Sequence, residues 1–157
     1  MLKKLASLFL AVVVCVVTAT SVSAETYAIN KDNVSEISPI SPIARSSFDY
    51  GNFDIDNGMT MLLGNGNSNT NGCFYIAAGS TIILSTELTS NESYLDMGYY
   101  NYAKDTYTKC SKKVSYMGAS TFVYTCSMTI STSGYYKFFI SNNTANILTF
   151  KNTYVSY

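Results

Sequence analysis

From residue 48 onward the apolar positions recur with the two-residue period of strands, not the 3.6-residue period of helices. The pattern is clearest over 122–131. Phe122, Tyr124, Cys126, Met128 and Ile130 fall on one face, and Val123, Thr125, Ser127, Thr129 and Ser131 on the other. Further strands are expected over 48–55, 59–63, 73–77, 81–88, 94–103, 135–140, 147–150 and 153–157, with a weaker stretch over 109–117. Asp56-Asn57-Gly58, Ala78-Gly79, Ser133-Gly134 and Asn142-Asn143 separate them, residues that accept the dihedrals of tight turns. The longest interruption, Gly-Asn-Gly-Asn-Ser-Asn-Thr-Asn-Gly over 64–72, holds no core-forming residue and reads as a polar loop. Short strands, polar turns and no amphipathic helix predict an all-β protein, a single antiparallel β-sandwich of immunoglobulin-like or jelly-roll type.

The first 45 residues follow other rules. Lys3 and Lys4 precede an apolar run over 5–17, and Val22-Ser23-Ala24 closes it with small residues. That is the plan of a secretory signal peptide cut before Glu25, with a run too short to remain as a membrane span. Cys15 leaves with it, and Val12-Val13-Val14 before that cysteine do not suit lipoprotein processing. Residues 25–45 carry Pro39 and Pro42 without a sustained period and read as a flexible arm, ahead of a sandwich domain over 46–157. The expected location is extracellular, and the paired lysines give the leader a bacterial character.

Composition then narrows the chemistry. Lys3 and Lys4 depart with the leader, leaving eight basic against ten acidic side chains, and no basic run exceeds Lys112-Lys113. Such a balance offers nothing to nucleic acid. The chain contains no histidine, which excludes Ser-His-Asp and Cys-His catalysis and histidine-ligated metals. Cys73, Cys110 and Cys126 remain after the leader, an odd number for an oxidising compartment. One bridge and one leftover thiol are expected. Cys110 with Cys126 closes neighbouring strands, Cys73 with Cys126 across two sheets competes, and a free Cys73 could link two copies into a homodimer. The three lack the spacing of a zinc site, and neither a metal nor another cofactor is called for.

The richest surface candidate is the tyrosine stretch. On a strand, Leu95, Met97 and Tyr99 suit the core, so Tyr94, Asp96, Tyr100 and Tyr102 would share the solvent face. Three phenol rings beside a carboxylate suit a sugar, whose C–H face lies on aromatic rings while its hydroxyls bond nearby acids and amides. Against that, tyrosine is also an ordinary residue of a half-exposed sheet. Asp54, Asp56 and Asn57 could line an irregular calcium loop, yet Asn65 stands where an EF-hand needs glutamate, and an Asp-Asn-Gly turn explains them as well. Glu87, Glu92 and Asp96 are the one close-set acidic trio, but their places on strand and turn read as surface acids, not as a facing catalytic pair. Asn33, Asn91 and Asn142 head glycosylation sequons, relevant in a eukaryotic secretory pathway.

Three spaced motifs add a resemblance. Ala78-Gly79-Ser80-Thr81-Ile82-Ile83-Leu84, Tyr94-Leu95-Asp96-Met97-Gly98-Tyr99 and Ser133-Gly134-Tyr135-Tyr136-Lys137-Phe138 resemble, over about residues 75–150, the pre-peptidase C-terminal type of β-sandwich found on secreted bacterial enzymes. The resemblance implies a non-catalytic accessory domain. The expected function is therefore a secreted, non-catalytic binding module for glycans on the tyrosine face. The alternative is an extracellular structural or interaction protein that joins itself or a surface protein through strand edges.

Overall fold

The computed structural model describes residues 26–44 and 47–157. The expected signal peptide and Cys15 lie outside the described residues. Among the described residues thirteen strands follow one another as β1 (Thr26–Tyr27), β2 (Val34–Ile37), β3 (Ser41–Ala44), β4 (Ser47–Ile55), β5 (Thr60–Leu63), β6 (Phe74–Ile76), β7 (Thr81–Leu88), β8 (Leu95–Asn101), β9 (Thr106–Lys109), β10 (Lys112–Gly118), β11 (Thr121–Thr129), β12 (Gly134–Asn142) and β13 (Leu148–Ser156). No α-helix occurs among the described residues.

The strands form two sheets. One has six strands in the order β10-β11-β7-β13-β4-β3, and the other runs β1-β9-β8-β12-β5-β2 with β6 as a seventh strand on β12. Neighbours are antiparallel throughout, except that β2 runs parallel to β5. The architecture is an all-β sandwich.

Alternation explains the layering. Ile82, Leu84 and Leu88 of β7 and Tyr124, Cys126 and Met128 of β11 face inward from the six-stranded sheet. They meet Leu95 and Met97 of β8 and Tyr136, Phe138 and Ile140 of β12 from the other sheet. Residues 147–150 and 153–157, read as two strands, are one strand β13, in which Asn152 (φ 47°) is an extra residue that bends the strand without ending it.

The segment 25–45, read as a flexible arm, is where the architecture departs most from expectation. Its described residues supply β1, β2 and β3, paired into both sheets. Its prolines do respect sheet chemistry, since Pro42 lies on the edge strand β3. What the sequence pattern hides is a second apolar cluster on the outer side of the seven-stranded sheet. There Leu62, Tyr107 and Phe139 are buried beneath Tyr27, Ile29 and Val34 of the arm.

The expected bridge is present between Cys110 and Cys126. Cys110 directly follows β9 of one sheet and Cys126 belongs to β11 of the other, so the bridge stitches the sandwich layers together. Cys73 is free and fully buried, and burial raises its thiol pKa. A Cys73-linked homodimer is therefore not supported, because no solvent reaches the sulfur in the folded chain.

Candidate functional site

The outer face of the seven-stranded sheet gathers most of the aromatic side chains that are not in the main core. On β12 the outward positions are Tyr135, Lys137, Phe139 and Ser141, and each meets a neighbour in register. Tyr135 pairs with Tyr75 of β6, and their rings meet edge to face at 5.5 Å. On its other side the Tyr135 carbonyl accepts a hydrogen bond from the Tyr102 amide at 3.0 Å. Tyr75 of β6, Tyr135 of β12 and Tyr102, the first residue past β8, thus form a row across the sheet, with 59%, 44% and 45% of their surface exposed. The aromatic contacts continue from Tyr102 through Tyr100, Tyr107 and Phe139 to Tyr27, at ring separations of 4.7–6.4 Å. That second half lies under or beside the arm.

Gly98 is what lets Phe139 lie across β8. A Cβ there would meet the Thr108 carbonyl oxygen and two carbons of the Phe139 ring.

Polar groups fix the covered half. Lys31 of the arm pairs with Asp105 at 2.5 Å, and Asp105 also accepts a bond from the Tyr100 hydroxyl at 2.9 Å. Lys31 and Tyr100 together hold the Asp105 carboxyl below its usual range. The Tyr100 phenol is raised, first by burial and then by its bond to Asp105. Asp96 pairs with Lys109 at 2.9 Å and accepts a bond from Asn143, whose amide also donates to the Tyr27 hydroxyl. The Lys109 ammonium sits 4.7 Å above the Tyr27 ring.

The four residues expected to form one ligand face are therefore placed differently from each other. Tyr94 is 70% exposed but precedes β8, at the opposite end of the strand from Tyr102. Asp96 and Tyr100 are engaged in holding the arm. Tyr102 alone belongs to the exposed row. Its partner Tyr135 was hidden for a physical reason: the stretch Tyr135-Tyr136-Lys137-Phe138-Phe139-Ile140 is aromatic or apolar on both faces, so alternation could not say which tyrosine points outward. Tyr75 was legible, lying between Phe74 and Ile76, which are both buried.

No family model and no curated protein matches the chain. Among solved structures, the periplasmic inhibitor of g-type lysozyme PliG from Aeromonas hydrophila is similar over 79% of this chain and 96% of that one. The identity is 10% and the TM-score 0.45, values at which neither strand order nor a binding site carries over.

The other chemical candidates disperse. Asp54 and Asp56 flank the buried Ile55 and both point to solvent, and no group of three or more acidic, cysteine or histidine side chains that could hold a metal gathers among the described residues. Glu87 accepts a bond from Asn152 at 2.8 Å on the outer face of the six-stranded sheet. The Glu92 amide instead donates to the buried Tyr124 hydroxyl, and Asp96 lies on the other sheet, paired with Lys109. Asn142 cannot serve as a glycosylation acceptor in the folded chain. It is fully buried, and its side-chain amide donates to the carbonyls of Ile55 and Asn146.

Proposed function

We propose that the protein is an exported, non-catalytic binding module whose ligand is a glycan, held on the row Tyr75–Tyr135–Tyr102. The row carries the reading: three phenol rings, roughly half exposed, sit on β6, on β12 and just past the end of β8, and the edge-to-face meeting of Tyr75 with Tyr135 makes an aromatic ridge against which sugar rings can pack. The hydroxyls of Tyr27, Tyr100 and Tyr136 are taken up inside the fold, which leaves the exposed row to meet a ligand. Two of the three rings stand on paired strands, β6 and β12, so little side-chain entropy is lost there on binding. The expected export signal and the Cys110–Cys126 bridge accord with a protein that works outside the cytoplasm.

The test is retention on a panel of cell-wall and plant polysaccharides. Tyr135→Ala, at the centre of the row, should weaken retention at least tenfold with an unchanged far-UV spectrum, whereas Tyr94→Ala should leave it intact. Equal retention of both variants and the parent protein would remove the row as the ligand face.

A second reading rests on β10. This free edge strand exposes Val114, Tyr116 and Met117 by 40%, 64% and 69%, and could pair with an extended segment of a protein partner. Ser115→Pro would block such pairing without touching the tyrosine row.

A further inference from the structure

We propose that residues 26–37 form an exchangeable arm, one that seats on the body of a second copy of this chain through the contacts it makes with its own. Three observations carry this. The arm supplies both edges of the seven-stranded sheet, β1 at one side and β2 at the other, so lifting it breaks no interior strand pair. Of its apolar side chains, Tyr27, Ile29 and Val34 pack on the separate cluster of Leu62, Tyr107 and Phe139, and Ile37, its last residue, packs against the main core. Arm and seat are also complementary in charge: Lys31 meets Asp105 of the body and Glu36 meets Lys137, each at 2.5 Å.

The link to the body favours opening. Ser38, Pro39 and Ile40 join β2 in one sheet to β3 in the other, and Ser38 and Ser41 each precede a proline. A residue before proline is held to extended geometry, so the connection tolerates a straight path away from its own body. Once lifted, the arm leaves Leu62, Tyr107 and Phe139 uncovered together with its own Tyr27, Ile29 and Val34. Refolding onto a neighbour restores every contact, and the balance shifts with protein concentration.

Ser35 and Met61 are register partners in the β2–β5 pair and report which body an arm occupies. The Ser35→Cys chain is mixed with the Met61→Cys chain, incubated at high concentration and oxidised. A disulfide-linked heterodimer on a non-reducing gel, rising with concentration, is expected. The double variant, oxidised when dilute, should close the same bridge within one chain. Closure in the double variant with no heterodimer from the mixture would overturn the proposal.

A deletion of Ser38, Pro39 and Ile40 tests it independently of bridge geometry. Sandwich layers lie about 10 Å apart, and a single peptide step of about 3.8 Å cannot cross that gap. The shortened arm can then reach only a second body. Light scattering should give a dimer, and a folded monomer with the arm amides protected from exchange would overturn exchange outright.

Discussion

Lys137 is the most consequential buried polar residue of the fold. It lies on β12 where the partner changes, since β5 pairs with Phe138–Ser141 and β6 with Gly134–Tyr136 on the same side, and the loop 64–73 bulges out between them. The ammonium, with only 9% of its side chain exposed, reaches Glu36 of β2 through this gap. Gly64 and Gly72 flank the passage, and a Cβ on either would collide with the Glu36 carboxylate. Removing one partner of such a pair is unequal in its effects. Glu36→Gln strands a buried cation and should cost about 2 kcal/mol, less than a fully buried pair because Glu36 is 40% exposed and water screens it. Lys137→Met keeps the aliphatic stem and frees a carboxylate that can hydrate, so it should cost less. Urea unfolding with an unchanged m-value checks the ranking. Asn142 makes the complementary case for neutral groups. Its amide donates to two carbonyls and its oxygen accepts from Thr144. Asn142→Ala leaves those partners dry and should cost about 3 kcal/mol by the same measurement.

At the scale of elements, the arm carries a pH dependence of its own through the Lys31–Asp105 pair. The Asp105 carboxyl is lowered from its ordinary 3.8 by Lys31 and Tyr100. A depressed acid stabilises the folded form above its unfolded value and loses that contribution as pH falls through the folded one. The arm should therefore hold at neutral pH and loosen below pH 3.8, seen as faster hydrogen exchange at Tyr27, and Asp105→Asn should flatten that dependence. Lys31 is raised by the same pair, so its contribution is present at neutral pH and fades only above the ordinary lysine range. The arm also marks where the sequence stopped being legible. β7 was readable to its ends over 81–88 and β11 within two residues, because each has one wet face and one dry face. β12 was found, but its facing was not, since the arm and the second cluster cover the side that would otherwise be polar. The arm itself reads as loop because its strands are two to four residues long and make sense only against Phe139 and Leu62. The tyrosine row suffered the same way: Tyr94 through Tyr102 share a face in sequence, but only tertiary cover decides that Tyr100 is engaged and Tyr102 free.

For the molecule as a whole, the stability argument turns on how two sheets are kept as one body. Apolar contact does most of it, and the Cys110–Cys126 bridge adds a side-chain covalent tie between layers. A 16-residue separation closes a loop whose entropy in the unfolded chain is reduced by an amount equivalent to about 3 kcal/mol. The bridged region is fixed by other means as well: the Cys110 amide donates to the Met97 carbonyl, and the Lys112 ammonium bonds the carbonyls of Ser93 and Leu95. Those contacts belong to the folded state, whereas the bridge acts on the unfolded one, so the two contributions should be separable. Replacing both cysteines, Cys110→Ala with Cys126→Val, should lower the melting temperature by about 10 °C while leaving the fold and polysaccharide retention at 25 °C unchanged. Retention is expected to survive because Tyr75 and Tyr135 stand on β6 and β12 and Tyr102 just past β8, and none of these strands carries a bridged cysteine. A shift under 3 °C would mean that residues 110–126 stay hairpin-like after unfolding, consistent with the direct β10–β11 pairing that spans nearly the whole loop.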